Sequence, residues 1–160
     1  MDIILKEIVA IIKEETENIN KKIYGTTFLE ILKEKILNRQ DQITLKNHEM
    51  QNFNSDLVEN IKVFERNLFF KLSFYQTPKS ILKLKLDKNF LLIIFKESVK
   101  IDVLNQNTQK YISLNLKPFM GVTLAKGIVC NLNYPKNSLI MQLETDDVNF
   151  DIEKKQDETI

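Results

Sequence analysis

Few side chains in this 160-residue chain could carry chemistry, and they stand apart from one another. The single histidine, His48, lies in Asn47-His48-Glu49, where Glu49 could orient an imidazole base. Adjacent side chains seldom face each other, so a solvated polar loop is much the better reading of the triplet. The single cysteine, Cys130, falls in the β-rich run Ile128-Val129-Cys130-Asn131-Leu132. A reactive thiolate needs a cation or a helix N-terminus beside it. The sequence places neither there, and a small buried thiol is the simpler expectation. Lys83, Lys85 and Lys100 could form a basic stripe for an anionic ligand, although their spacing also describes an ordinary solvated strand face. Phe69, Phe70, Phe74 and Tyr75 interleave with Lys71 in the manner of a base-stacking platform. In a chain this poor in Arg and Gly, those rings read better as core. Asp146-Asp147 stands in an acidic end and reads as solvated rather than as two carboxylates converging on a cleft.

Composition closes several routes. With three glycines there is no GxGxxG and no Walker loop. One cysteine excludes an intrachain disulfide and a Cys-cluster zinc site. No Ser-His-Asp set falls within the β-rich part. The 23 basic and 22 acidic residues give a net charge of +1, so no global field points to nucleic acid or to an anionic membrane. Lys outnumbers Arg 21 to 2, which removes most bidentate anion recognition. Asp2 and the closely spaced charges after it do not resemble a secretory signal, and no apolar run approaches about 18 residues. A cytoplasmic location is the resulting expectation.

The elements that must position these residues fall into two classes. Ile4, Ile8, Ile11, Ile12, Ile19 and Ile23 recur at a helical period and predict an amphipathic helix over 2–23, interrupted by Gly25. Thr27-Phe28-Leu29-Glu30 has the form of a capping box and predicts a second helix running to about Asn38. Residues 1–40 thus form a helical arm. Residues 41–61 read as a polar linker, in which Ile43 and Leu45 could make a short strand. From 62 to 145 short β-rich runs alternate with breakers such as Asp87-Lys88-Asn89, Lys117-Pro118 and Pro135-Lys136-Asn137, the pattern of an all-β sandwich or barrel. Strict alternation over 82–86 puts Leu82, Leu84 and Leu86 on one face and Lys83 and Lys85 on the other. Residues 146–160 form an acidic, flexible tail in this reading.

The strand order from about 80 to 145 resembles the cupin superfamily, a small jelly-roll (double-stranded β-helix) barrel. Phe95-Lys96-Glu97-Ser98-Val99-Lys100-Ile101 is similar to the turn that usually carries Gly before the next strand. Leu124-Ala125-Lys126-Gly127-Ile128-Val129-Cys130 is similar to the second cupin motif, and Asn137-Ser138-Leu139-Ile140-Met141-Gln142-Leu143 to the closing strand. If Ser98 holds the place of the first motif's last Gly, the two metal-binding His positions fall on Leu84 and Leu86 and the Glu position on Leu91. The second motif's His falls on Cys130, its Pro on Ala125 and its late Asn on Tyr134. Leucine offers no donor to a divalent metal, so the family's metal chemistry is not expected here. The nonmetal sugar-nucleotide isomerases and epimerases of the family rely on a His base, and the one His here precedes the barrel.

These readings imply an all-β, cupin-like barrel with two N-terminal helices, needing no metal or other cofactor. Leu84, Leu86, Leu91, Cys130 and Tyr134 are the expected ligand-facing residues, suited to a small, partly apolar ligand. Acting only as an oligomeric module is the other expectation, with a homodimer the compatible assembly. A sugar-nucleotide isomerase-like enzyme and an interaction protein working through its helices are the alternatives. A Leu-lined cavity would favour binding, a polar pocket joining Lys, Tyr and a carboxylate would favour an enzyme, and an apolar helix surface would favour a protein partner.

Overall fold

The computed structural model describes residues 2–43 and 56–146. Helix α1 spans Asp2–Glu17 and α2 spans Gly25–Leu37, followed by a short 3-10 turn over Gln40–Gln42. Nine strands follow: β1 (Leu57–Val63), β2 (Arg66–Tyr75), β3 (Lys79–Lys85), β4 (Asn89–Lys96), β5 (Val99–Asn105), β6 (Lys110–Leu116), β7 (Gly121–Leu124), β8 (Val129–Tyr134) and β9 (Ser138–Thr145).

The strands form two antiparallel sheets, ordered β1-β2-β9-β4-β7 and β3-β8-β5-β6. Strand β2 pairs with β9, β3 with β8, β4 with β7 and β5 with β6. One long antiparallel ribbon is therefore folded at β5–β6. It rolls up so that β4 also pairs with β9 and β5 with β8. This is the jelly-roll arrangement of eight strands, with β1 added as an outer strand by a tight hairpin onto β2. The two sheets remain separate ladders among the described residues and do not close into a barrel.

The helices lie against the five-stranded sheet, giving three layers and two cores. Ile4, Ile8, Ile12, Phe28, Leu29 and Leu32 pack on Leu68, Phe70, Leu72, Leu91, Ile93 and Leu143. The second core lies between the sheets and includes Phe90, Leu92, Ile94, Ile101 and Leu132. Strand β4 serves both, sending Leu91, Ile93 and Phe95 to the helices and Phe90, Leu92 and Ile94 inward.

Several sequence expectations need correction. The first helix ends at Glu17 rather than 23. Asn20 takes over the backbone there, its Oδ1 accepting from the Lys22 amide at 2.9 Å, an Asx turn that competes with helix. The capping box does not form. Thr27 lies inside α2, whose N-cap is Tyr24 without a side-chain bond. Glu30 instead accepts from Thr123 Oγ1 of β7 at 2.7 Å and pairs with Lys33 Nζ at 2.5 Å. The 41–61 stretch ends in the first five residues of β1, a strand that buries little beyond Ile61 and Val63 and so lacks a strong alternating signal. Ile43 is buried after the 3-10 turn rather than in a strand, while Leu45 and His48 lie outside the described residues. In β3 the register shifts between Ile81 and Leu84, and Lys83 sits at φ +54°. The bulge turns Leu82 outward, 67% exposed, while Leu84 and Leu86 face the other sheet.

Both arginines serve structure. Arg66 is buried at the start of β2, where its Nη2 donates to the carbonyls of Lys21 (2.8 Å) and Ile23, and its guanidinium stacks 4.3 Å from the Phe28 ring centroid. It thereby ties the α1–α2 turn to the sheet. Arg39 closes the other end of the arm, 3.1 Å from Glu14 and 3.3 Å from Glu15.

A lysine cannot reproduce the planar fork or the stacking. Arg66→Lys is expected to cost about 2 kcal/mol, lowering Tm by roughly 4–8 °C in thermal unfolding. Glu97, in the β4–β5 turn, holds φ +64° without being glycine. Glu97→Gly relieves the left-handed strain and should gain about 0.5–1 kcal/mol by the same measurement.

Candidate functional site

Side chains of one parity on β2 and β9 face the helices, so those of the other parity face the second sheet. The inward residues are Phe69, Lys71, Ser73 and Tyr75 of β2, lying beside Glu144, Gln142, Ile140 and Ser138 of β9 in register. Opposite them stand Ile81 and Leu84 of β3 and Leu86 just after it, with Cys130, Leu132 and Tyr134 of β8. The space between the sheets is therefore apolar on the β4–β7 side and polar on the β2–β9 side.

The polar end has a distinct geometry. The rings of Tyr75 and Tyr134 stack across the two sheets, centroids 4.8 Å apart and 12° from parallel. Beside them Ser73 and Ser138 are both 0% exposed; the Ser138 hydroxyl meets no hydrogen-bond partner among the described residues, and the Ser73 hydroxyl has only the neighbouring Tyr75 phenol within reach. A buried hydroxyl left without a partner costs about 1–3 kcal/mol. Further along, Gln142 Nε2 donates to Glu144 Oε1 at 2.9 Å. Lys71 reaches toward Asp56, Nζ to Oδ2 4.0 Å. Burial pushes the Tyr75 phenol up, with Ser73 opposing the shift and Asp56 reinforcing it. Burial likewise drives the Tyr134 phenol far above its ordinary range, and raises the Cys130 thiol. None of the three is primed to lose a proton near neutrality.

Four of the five residues expected to face a ligand, Leu84, Leu86, Cys130 and Tyr134, share this inter-sheet space. Leu91 does not; it faces the helices. The reason is local. Strand β4 is buried on both faces, so its apolar run Phe90-Leu91-Leu92-Ile93-Ile94-Phe95 carries no alternation to mark the inward parity, which belongs to Phe90 and Leu92. The aromatic run of β2 divides between faces, Phe70 and Phe74 toward the helices and Phe69 and Tyr75 inward, so it presents no single stacking platform. Lys100 lies 3.9 Å from Asp102, and Lys83 is occupied by the bulge. Asp146 pairs with Lys88 at 3.8 Å, while Asp147 lies outside the described residues.

Sequence reasoning passed over Ser73, Ser138, Gln142 and Asp56. A signal existed for the serines: each is a small polar residue next to apolar neighbours in a β-rich run, as in Leu72-Ser73-Phe74 and Ser138-Leu139-Ile140. The parity that makes it inward is visible only once the helices are known to cover the opposite face.

The resemblance to cupins would imply a metal held by the side chains at positions 84, 86, 91 and 130. Positions 84, 86 and 91 are leucines, Leu91 moreover facing the helices, and the fourth is a lone buried cysteine, Cys130, so the residues present do not fit one. Among the described residues no three His, Cys, Asp or Glu side chains gather to hold a metal ion. No helix of the described residues is long and apolar enough to cross a membrane.

No protein-family model matches the sequence, and no curated protein matches it. Solved structures resemble part of it. The cupin domain of Drosophila melanogaster CENP-C is 6% identical, with a TM-score of 0.43 over 55% of this chain and 74% of that one. A cupin superfamily protein of Desulfitobacterium hafniense is 15% identical, with a TM-score of 0.44 over 67% of this chain and 86% of that one. A protein of Neisseria meningitidis is 13% identical, with a TM-score of 0.46 over 64% of this chain and 96% of that one. At these identities the matches transfer no residue role.

The Cys130 thiol, buried and pushed toward its neutral form, should alkylate with iodoacetamide more than about tenfold slower in the folded protein than in denaturant, read by mass spectrometry at mildly alkaline pH.

Proposed function

We propose that this protein binds a small, partly apolar molecule between its two sheets, with the polar group of the ligand at Ser73 and Ser138 and its apolar part toward Leu84, Leu132 and Ile140. The observation that carries this reading is the pair of fully buried hydroxyls on one face of β2 and β9, Ser138 without a partner among the described residues and Ser73 with only the Tyr75 phenol beside it. Such groups are retained against a stability cost where something else satisfies them. The stacked tyrosines beside them supply a flat, rigid wall. A donor-rich end next to an apolar interior suits a carbonyl or carboxylate head on an aliphatic body.

The enzyme alternative draws support from the approach of Lys71, Tyr75 and Asp56. General-base chemistry asks for a phenol whose pKa is lowered toward the working pH. Burial moves Tyr75 and Tyr134 the other way, which favours recognition over proton transfer. An interaction role for the helices is disfavoured because their apolar faces are already spent on the five-stranded sheet.

The test is thermal shift on the full chain with medium-chain fatty acids, 2-keto acids and nucleotide sugars. An aliphatic acid at 100 times its dissociation constant should add about 2.7 kcal/mol, or roughly 5–10 °C in Tm. In Ser73→Ala/Ser138→Ala the shift should vanish while the ligand-free protein gains about 1 kcal/mol or more. A shift with nucleotide sugars alone would favour the enzyme instead. Loss of stability in the ligand-free double variant, or no shift with any acid, would overturn the binding reading.

A further inference from the structure

Among the described residues, two sheets that do not close leave four edge strands: β1 and β7 in one, β3 and β6 in the other. An edge with free backbone groups invites another strand, and proteins usually blunt it. Strand β7 has only four residues and is tied to α2 through Thr123 and Glu30. Strand β3 is broken by the bulge at Lys83. Strand β1 carries Glu59 and Lys62 within its length and lies against α1. Strand β6 has none of these devices. Its seven residues, Lys110–Leu116, keep an unbroken register with β5. Its only charge is its first residue, and Tyr111 (41%) and Ile112 (56%) are exposed.

We propose that β6 pairs antiparallel with β6 of a second copy of this chain, about a two-fold axis through Ser113, joining their four-stranded sheets into one. The strand is self-complementary in that register. Ser113 meets its own counterpart, Ile112 meets Leu114, Tyr111 meets Asn115 and Lys110 meets Leu116. No like charges oppose each other. Parity is preserved as well. Ile112 and Leu114 lie on the inter-sheet face, beside Val103 and Ile101, so the inner apolar row continues across the axis and covers the exposed Ile112. The same patch serves both copies, as a closed two-fold dimer requires. A pairing of seven residues is small against the roughly 1,200–2,000 Å² of a stable interface, so the dimer is reversible and concentration-dependent.

Sedimentation velocity of the full chain, from low micromolar to near-millimolar concentration, should show dimer growing with concentration. Ser113→Lys sets two ammonium groups face to face and should weaken association by about tenfold or more. Ser113→Cys, close to serine in size, should form an intermolecular disulfide under mild oxidation, with little background because Cys130 is buried. Lys136→Cys, in the exposed β8–β9 turn, is the control. A chain that stays monomeric throughout, a Ser113→Lys variant that dimerises as the parent does, or Ser113→Cys cross-linking no faster than Lys136→Cys would each overturn the proposal.

Discussion

Strands β4 and β9 lie at the middle of a sheet covered on both faces, by the helices on one side and by the second sheet on the other. Residues of both parities must then be apolar, or any polar ones must be satisfied from within. Six consecutive residues of β4, Phe90 through Phe95, are almost fully buried. That requirement explains why the helical arm belongs to the same folding unit as the sheets. Without it, Leu91, Ile93, Leu139, Met141 and Leu143 would face water together, an apolar surface that a soluble sheet does not leave open.

The chain holds this arrangement with unusual means. It has only three glycines, and among the described residues six others occupy left-handed backbone: Phe64, Lys83, Glu97, Gln109, Phe119 and Asn137. Turns that glycine would ease are instead imposed by the register of the strands on either side. Gly121 is placed where glycine is required, since a Cβ there would come within 2.9 Å of the Leu92 carbonyl oxygen. The two arginines are similarly committed, one buried between the arm's turn and β2, the other at the base of α2. A lysine-rich surface carries the remaining charge without directing it at any one partner.

The inter-sheet space combines two tendencies that usually oppose each other. Its β4 side is packed with aliphatic side chains, which stabilises the sandwich. Its β2–β9 side keeps hydroxyls where methyl groups would pack more favourably. Tyr134, nearly fully buried, and Tyr75 span the gap between the sheets at this end, so the polar residues sit against rigid rings.

Much of this was legible in the residues themselves. The helical period of the isoleucines and the breakers between β-rich runs marked a helical arm followed by an all-β sandwich or barrel, and the strand order added its resemblance to a jelly roll. These are local properties, set by side-chain type and by spacing along the chain. The sequence could not reveal which parity of β2, β4 and β9 faced inward, because both faces are buried and alternation disappears. Leu91 was therefore read as inward, and Ser73 and Ser138 went unnoticed. Leu82 was misplaced for a related reason: a bulge adds one residue to a strand and reverses the parity before it, and nothing in Leu82-Lys83-Leu84 announces that. Only packing between layers, which joins residues far apart in the chain, decided which side chains share the site.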